Sequence, residues 1–379
     1  PHHMTLLLHS WKFVRYEITK NTTWYFVWIK DASGRDTYVE FTKGTESDEV
    51  GRLMHEMLNK FRSEDLPEEK SLEKNLGLSR QVKNGSTMAV ALSSVRSAIS
   101  QFRSMERSLP LCEYLSGKAP VSIDLYANIN RGLFATDRSP NDFAKAAYEA
   151  VCRGFKVIKC APFDEVTHPN PQDISGVVKI GLNRLSAVRE SVGIDVEILV
   201  DCHGRFEESS SKIVASLIQP IGIGWFEEPL DPINYPERLA RISNEIAIPL
   251  AGGESGYGEE FFDSLVQLES VQTIMPDIKY CGGVQEAVRI AKNAHDNGIN
   301  FSPHCPSGPI SLLASAHVCA ALNKKVLLEH AIEEIDYRHE LISPHEIVRN
   351  GRIEMPMGIG LGAALSKTAF KKYGEYFSF

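Results

Sequence analysis

The chain has 379 residues, 43% hydrophobic and 24% charged, which is material for two to three domains' worth of core. These values exclude a disordered chain, a collagen-like one and a disulfide-stapled miniprotein. A net charge of -8 and a pI near 5.9 exclude the basic stripe of a nucleic-acid binder. An acidic exterior gives an anionic ligand no global attraction, so any acid that binds must meet a local cation. The seven cysteines (112, 152, 160, 202, 281, 305 and 319) form no C-x-x-C pair and are odd in number. That argues against a zinc ribbon or a secreted disulfide framework and for a reducing cytoplasm. No apolar run approaches the roughly 18 residues of a membrane span, so no membrane partner is expected. The opening Pro1-His2-His3-Met4 reads as a cloning remnant and is set aside.

In chain order, Leu6–Thr19, Thr23–Asp31 and Arg35–Phe41 read as strands meandering through turns at Lys20–Asn21 and Ser33–Gly34. Helix-prone stretches follow at Ser47–Arg62 and Thr87–Arg107, giving an α+β domain over residues 1–118. From Val121 a strand-then-helix rhythm sets in. Its candidate strands are Val121–Ala127, Phe155–Lys159, Ile198–Asp201, Gly224–Glu227, Pro249–Glu254, Thr273–Asp277, Asn300–His304 and Lys325–Glu329. From Asp201 onward the strand ends are spaced 26, 27, 23, 27 and 25 residues apart, one βα unit each. Eight such units predict a (β/α)₈ barrel over 119–341, with an open doubly wound sheet as the alternative. Between them, Ser139-Pro140-Asn141-Asp142 starts a helix whose apolar face is Phe143, Ala146, Ala147, Ala150 and Val151, and Gly154 stops it. A second helix is predicted from Val284 to Asn297. The glycine-rich tail, 342–379, fits no further βα unit.

Barrel active sites assemble at the carboxyl ends of the strands. There the sequence carries Lys159, Asp201 with His203, Glu227 with Glu228, Glu254, Asp277, His304 and Glu329. So many acids converging would repel one another unless a cation sat among them. Asp201, Glu227 and Glu254 end three adjacent strands. Three oxygen ligands favour a hard ion such as Mg²⁺ over zinc. Asp277 ends the strand beside His304, and an Asp–His pair fixes the tautomer and raises basicity, as a general base requires. His203, two residues past Asp201, is placed to protonate a leaving hydroxyl, and Lys159 to stabilise a carboxylate or enolate oxygen. Cys160, Cys202 and Cys305 read as small packing residues, and His295 and His317 as helix residues without a catalytic role.

Asp201, Glu227-Glu228-Pro229, Gly253-Glu254, Pro276-Asp277, Gly282-Gly283 and His304 together resemble the barrel of the enolase superfamily, mandelate racemase branch. Asp201-Cys202-His203-Gly204-Arg205 and His304-Cys305-Pro306-Ser307-Gly308-Pro309-Ile310 look like the D-galactonate dehydratase group of sugar-acid dehydratases. The resemblance implies Asp201, Glu227 and Glu254 as Mg²⁺ ligands, His304 with Asp277 as base, His203 as acid and Glu329 as a transition-state-stabilising glutamate. It also implies an α+β cap, completed by the tail, over the barrel mouth. The chain departs from relatives that carry Lys-x-Lys on the second barrel strand, having Lys159-Cys160-Ala161. It has Ser255 where galactonate dehydratases generally have arginine, and Tyr38-Val39-Glu40-Phe41 where a Gly-x-Gly-Glu run is usual. The reading is a Mg²⁺-dependent lyase removing water from a sugar acid, in a cytoplasmic homo-oligomer. Racemisation or epimerisation of an α-substituted acid, and a non-catalytic acid-binding barrel, are the alternatives.

Overall fold

The computed structural model describes residues 4–78 and 82–379, so Pro1, His2 and His3 of the opening run lie outside it. Strands β1 (Leu8–Thr19), β2 (Thr22–Asp31) and β3 (Asp36–Glu40) form an antiparallel meander. Its helices include Ser47–Lys60 and Thr87–Glu106. Eight parallel strands follow: β4 (Ile123–Asn128), β5 (Val157–Cys160), β6 (Glu197–Asp201), β7 (Ile223–Glu227), β8 (Leu250–Gly252), β9 (Thr273–Ile274), β10 (Asn300–Phe301) and β11 (Leu328–Ala331). They are hydrogen-bonded in sequence from β4 to β10, and β11 returns to pair with β4, Glu329 opposite Tyr126. At the β10–β11 seam the Ser302 hydroxyl donates to the Leu327 carbonyl at 2.7 Å. This is the predicted barrel rather than the open sheet.

The tail contributes β12 (Ile342–Ser343), β13 (Ile347–Arg349), β14 (Arg352–Glu354), β15 (Ala364–Leu365) and β16 (Gly374–Phe377). β14 pairs with the outer end of β4, and β16 adds to β1 of the first sheet, so the tail ties barrel to cap. The Ser139 capping box forms with Asp142 and holds the start of Pro140–Cys152. Gly154, at φ +89°, ends that segment, and a Cβ there would meet the Asn350 Cα at 2.5 Å. Only glycine allows the tail hairpin to pack so close.

Inside the barrel Tyr126, Val157, Leu199, Trp225, Ala251 and Met275 form an apolar layer. Side chains two residues on point the same way along a strand. The next layer is therefore Asn128, Lys159, Asp201 and Glu227, with Glu329 following Leu327. Three predicted strands prove shorter, β8 ending at Gly252, β9 at Ile274 and β10 at Phe301. Gly253 turns away at φ +111°, while Pro276 and Pro303 have no N–H for a ladder. Glu254, Asp277 and His304 consequently stand on loops. Hydrogen bonds from Met275 to Gly252 O, Ser302 to Ile274 O and His304 to Pro276 O still hold those loops parallel. Glu329 lies within β11 rather than at its end.

The cap docks through helix Thr87–Glu106. Ser93 and Ser97 accept hydrogen bonds from the N–H groups of Gly282 and Val284, at 2.8 and 3.2 Å, at the start of barrel helix Val284–Asp296. Beside them the buried Arg96 guanidinium bonds Glu69 and Glu73 of the cap and Glu286 of the barrel. Removing one partner from such a buried cluster leaves the others uncompensated. Arg96→Met is expected to lower stability by about 3–5 kcal/mol, read as a shift of the urea unfolding midpoint.

Candidate functional site

Three carboxylates define the centre. One oxygen each of Asp201, Glu227 and Glu254 lies within 4.8 Å of the other two, and Asp201 and Glu227 are buried. Oxygen donors from the ends of two adjacent strands and the loop after the next suit a hard divalent cation. Glu228, the second acid of the pair, turns away from this cluster at φ +42°. Its carboxylate accepts from the N–H groups of Gly253 (2.8 Å) and Glu254 (3.2 Å), fixing the loop that carries Glu254.

Lys159 sits beneath the cluster, wholly buried. Its Nζ is 2.9 Å from Glu227, 2.7 Å from Glu329 and 3.2 Å from the Tyr126 hydroxyl. Burial disfavours its charge, but the two glutamates outweigh that and raise its pKa well above the ordinary value. Glu329 also accepts from Asn128 Nδ2 at 2.8 Å and from the N–H of Cys305 at 2.9 Å. Burial opposes its charge, and Lys159 with His304 overcomes this, so its pKa is lowered.

Each histidine lies between two carboxylates. His304 Nδ1 is 2.8 Å from Asp277, and its Nε2 is 2.9 Å from Glu254. Burial alone would favour neutral imidazole, yet Glu254 and Asp277 raise its pKa well above the usual value. Glu254 responds oppositely: against burial, His304 holds it down to about 2. His203 Nε2 is 2.9 Å from Asp201, and its Nδ1 is 2.7 Å from Asp164. Asp201 is the main cause of its rise to about 12, with Asp164 adding to it.

Asp164 and Lys279 were not singled out from the sequence. Asp164 belongs to the loop after β5, 39 residues from His203. That loop is fixed by its neighbour Glu165, bonded to Arg138 at 2.7 Å and Arg184 at 2.6 Å. A run of Arg138, Asp164-Glu165 and Arg184 carries no local pattern that would betray the clamp. Lys279 Nζ is 2.9 Å from Asp277 and also bonds the Ser307 hydroxyl, so it supports the carboxylate that orients His304. Its i+2 spacing from Asp277 was the available clue.

The cysteines near these groups behave as packing residues. Cys160 and Cys305 are buried, and burial pushes both thiols up to about 12. His317 is buried too, bonding Cys112 N–H at 3.0 Å and the Leu361 carbonyl at 2.9 Å. Two open cavities flank the carboxylates. One, of about 820 Å³, is bordered by His203, Glu228, Glu254 and Asn84. The other, of about 450 Å³, runs from His304 and Asp277 to the cap turns at Thr22 and Thr42. The arrangement can bind a cation and present two ring nitrogens to a ligand beside it.

Comparison with known proteins agrees with this architecture. Residues 142–369 match the family described as enolase C-terminal domain-like. The arabinonate dehydratase of Saccharolobus solfataricus is 31% identical over 203 residues, 52% of this chain and 54% of that one. The chain thus spans about half the length of that relative. The D-galactonate dehydratase of Xanthomonas euvesicatoria is 24% identical over 371 residues, covering 95% and 94%. Among solved structures, the mandelate racemase/muconate lactonizing enzyme of Jannaschia sp. CCS1 superposes with a TM-score of 0.87 at 22% identity, covering 98% and 99%. With a family match over more than half its length and the cap-and-barrel fold, the chain belongs to the enolase superfamily through an enolase C-terminal domain-like barrel.

Proposed function

We propose that the protein is a Mg²⁺-dependent hydro-lyase that removes water from a sugar acid of the aldonate type. The observation that carries this reading is the pair of histidines flanking three clustered carboxylates, each ring tied at Nδ1 to its own aspartate. Sugar-acid dehydratase names among the relatives support the same reading. Mg²⁺ held by Asp201, Glu227 and Glu254 would supply Lewis-acid polarisation of the substrate carboxylate.

The chain's own groups carry the protons. Asp277 keeps a proton on Nδ1 of His304, which leaves Nε2 as the atom that accepts the α-proton. The C–H electron pair moves into the carbon framework, and Lys159 and Glu329 form the polar floor where charge develops on oxygen. His203 delivers its Nε2 proton to the 3-hydroxyl, which departs as water. Nδ1–H stays with Asp164 throughout. The resulting enol tautomerises to a 2-keto-3-deoxy acid. Epimerisation is the second reading, because two histidines beside one carbon also serve proton removal and return. Product analysis separates the two, since only dehydration yields a ketone.

Chelation of divalent ions is expected to abolish keto-acid formation. Glu254→Gln should weaken Mg²⁺ affinity roughly tenfold or more by calorimetric titration, since one of three anionic ligands is lost. A variant with unchanged affinity would sink the ligand set.

His304→Asn is expected to remove both dehydration and exchange of the α-proton with deuterated water, while the acid still binds. His203→Asn should slow dehydration by roughly 10²–10⁴-fold and leave α-proton exchange measurable, because the base is intact. Loss of exchange in both variants would take the acid role from His203.

Asp164→Asn is expected to lower kcat by roughly 10–10²-fold with little change in KM, because the ring loses its oriented Nδ1 partner. Steady-state kinetics on the active acid checks it, and an unchanged kcat would leave Asp164 a loop residue only.

A further inference from the structure

Of the three clustered carboxylates, two stand in paired register at the ends of β6 and β7, and the third stands on a turn. Glu254 and Ser255 are the central residues of that turn, which the Gly256 N–H closes by donating to Gly253 O at 3.0 Å. Glu228 holds its entrance from the barrel side. Its exit is Tyr257, the residue before helix Gly258–Leu268, and there the partners come from the cap. The Tyr257 N–H donates to Asn84 Oδ1 at 2.7 Å. Its hydroxyl donates to the Glu73 carboxylate and accepts from Arg96 Nη1 at 3.4 Å. A Cβ at cap residue Gly85 would lie 3.5 Å from the Ser255 Cβ, so the cap backbone passes close over the turn itself.

These contacts make Tyr257 a member of two structures at once. Through Arg96 it belongs to the buried cluster that docks the cap, since the same guanidinium bonds Glu69 and Glu286. Through Gly256 it belongs to the turn that presents Glu254. Asn84 and Glu73 lie in the first domain, so both of their bonds to Tyr257 exist only while the cap is docked. Asp201 and Glu227 need no such help, because hydrogen-bonded strands fix them. Glu254 is the one member of the carboxylate centre whose position depends on how well a turn is anchored.

We propose that Tyr257 is a positioning residue for Glu254, through which cap docking and divalent-cation affinity are linked. This rests on Glu254 being a metal ligand and goes beyond that reading, because it gives the cap a share in cation binding before any acid arrives. With the cap docked, the turn is gripped at both ends and three anionic oxygens converge on one point. With the cap lifted, the exit is free and Glu254 leaves the other two. A cation that draws Glu254 in must by the same linkage hold Tyr257 against the cap, since coupling between two sites is reciprocal.

The test is calorimetric titration of the full chain with Mg²⁺ alone. Tyr257→Phe keeps the ring and loses the hydroxyl, and it is expected to bind Mg²⁺ roughly 5- to 10-fold more weakly, the low end of ordinary coupling between sites. Asn84→Ala, which removes the acceptor of the Tyr257 N–H, should weaken binding in the same direction and carries the test if Tyr257→Phe folds poorly. Val50→Ala, in the cap's own core, should lower the urea midpoint yet keep Mg²⁺ affinity within about twofold, as for an independent site. In the reverse direction, saturating Mg²⁺ should slow amide hydrogen exchange across cap residues 69–76 roughly fivefold in the native chain, and much less in Tyr257→Phe. Native Mg²⁺ affinity in both Tyr257→Phe and Asn84→Ala, or an equal loss in Val50→Ala, overturns the linkage and leaves Tyr257 to cap docking alone. A native chain with no measurable Mg²⁺ affinity would instead overturn the metal site itself, and the linkage with it.

Discussion

Mutual repulsion among carboxylates is the constraint around which this barrel is built. Asp201, Glu227, Glu254 and Glu329 are drawn to one end of a closed sheet, where burial of all but Glu254 limits screening by water. Lys159 answers from below, bonded to Glu227 and Glu329. The histidines answer from the flanks, His203 against Asp201 and His304 against Glu254. Burying a charge is tolerable only when it is paired and hydrogen-bonded, and every one of these groups is. The same pairing makes the centre responsive. A divalent ion bound there would compete for the carboxylate oxygens that the two Nε2 atoms now hold, and would leave the Nδ1 ties to Asp164 and Asp277 in place. In the proposed reaction, cation binding and readiness of the two rings for proton transfer would thus be linked through shared ligands.

The barrel supplies the precision that this charge arrangement needs. An apolar plug of Tyr126, Val157, Leu199, Trp225, Ala251 and Met275 fills the interior. It fixes the strand register, and register fixes which side chains stand in the layer above. Lys159, Asp201 and Glu227 inherit their positions from Val157, Leu199 and Trp225. The loop-borne groups need separate anchors. Glu228 pins the Glu254 loop by accepting two backbone N–H groups, and the Arg138–Glu165–Arg184 clamp holds Asp164. Glu40 of the cap reaches across to the His304 loop through Gly308. Cap docking through Arg96 and the Ser93 and Ser97 bonds therefore bears on the active loops as well as on stability.

This division explains what could be read from the sequence. Strand-end acids at a regular spacing of one βα unit revealed the barrel, the carboxylate centre and the Asp277–His304 pair, because each depends on local order along the chain. Strand ends were read too long at Glu254, Asp277 and His304, since apolar run length does not register the break made by Gly253, Pro276 and Pro303. Asp164 and Lys279 escaped because their partners come from other loops or from ion pairs that have no period. Glu40 stood out only as a departure from a glycine-rich run. Its contact with Gly308 spans 268 residues, a separation no local pattern encodes.

The missing second lysine on β5 follows from the same geometry. Lys159 is committed to the floor, and two positions on, Ala161 is buried, its N–H bonded to Asn130 at 2.7 Å and its carbonyl to Arg138 at 2.8 Å. A lysine there would have to enter a packed backbone corner already closed by an asparagine and an arginine. The position has instead become part of the scaffold that carries Asp164 toward His203. An imidazole stands on that flank instead, from the turn after β6, where His203 adopts φ +52° and brings Nε2 to Asp201. An imidazole whose Nδ1 is bonded to a carboxylate retains one proton and passes the other. A lysine in a fully carboxylate-lined pocket would be held charged, as Lys159 is. In the proposed reaction, placing the second proton-transfer group on the β6 turn rather than after β5 would thus exchange a fixed cation for a ring that can both give and take a proton.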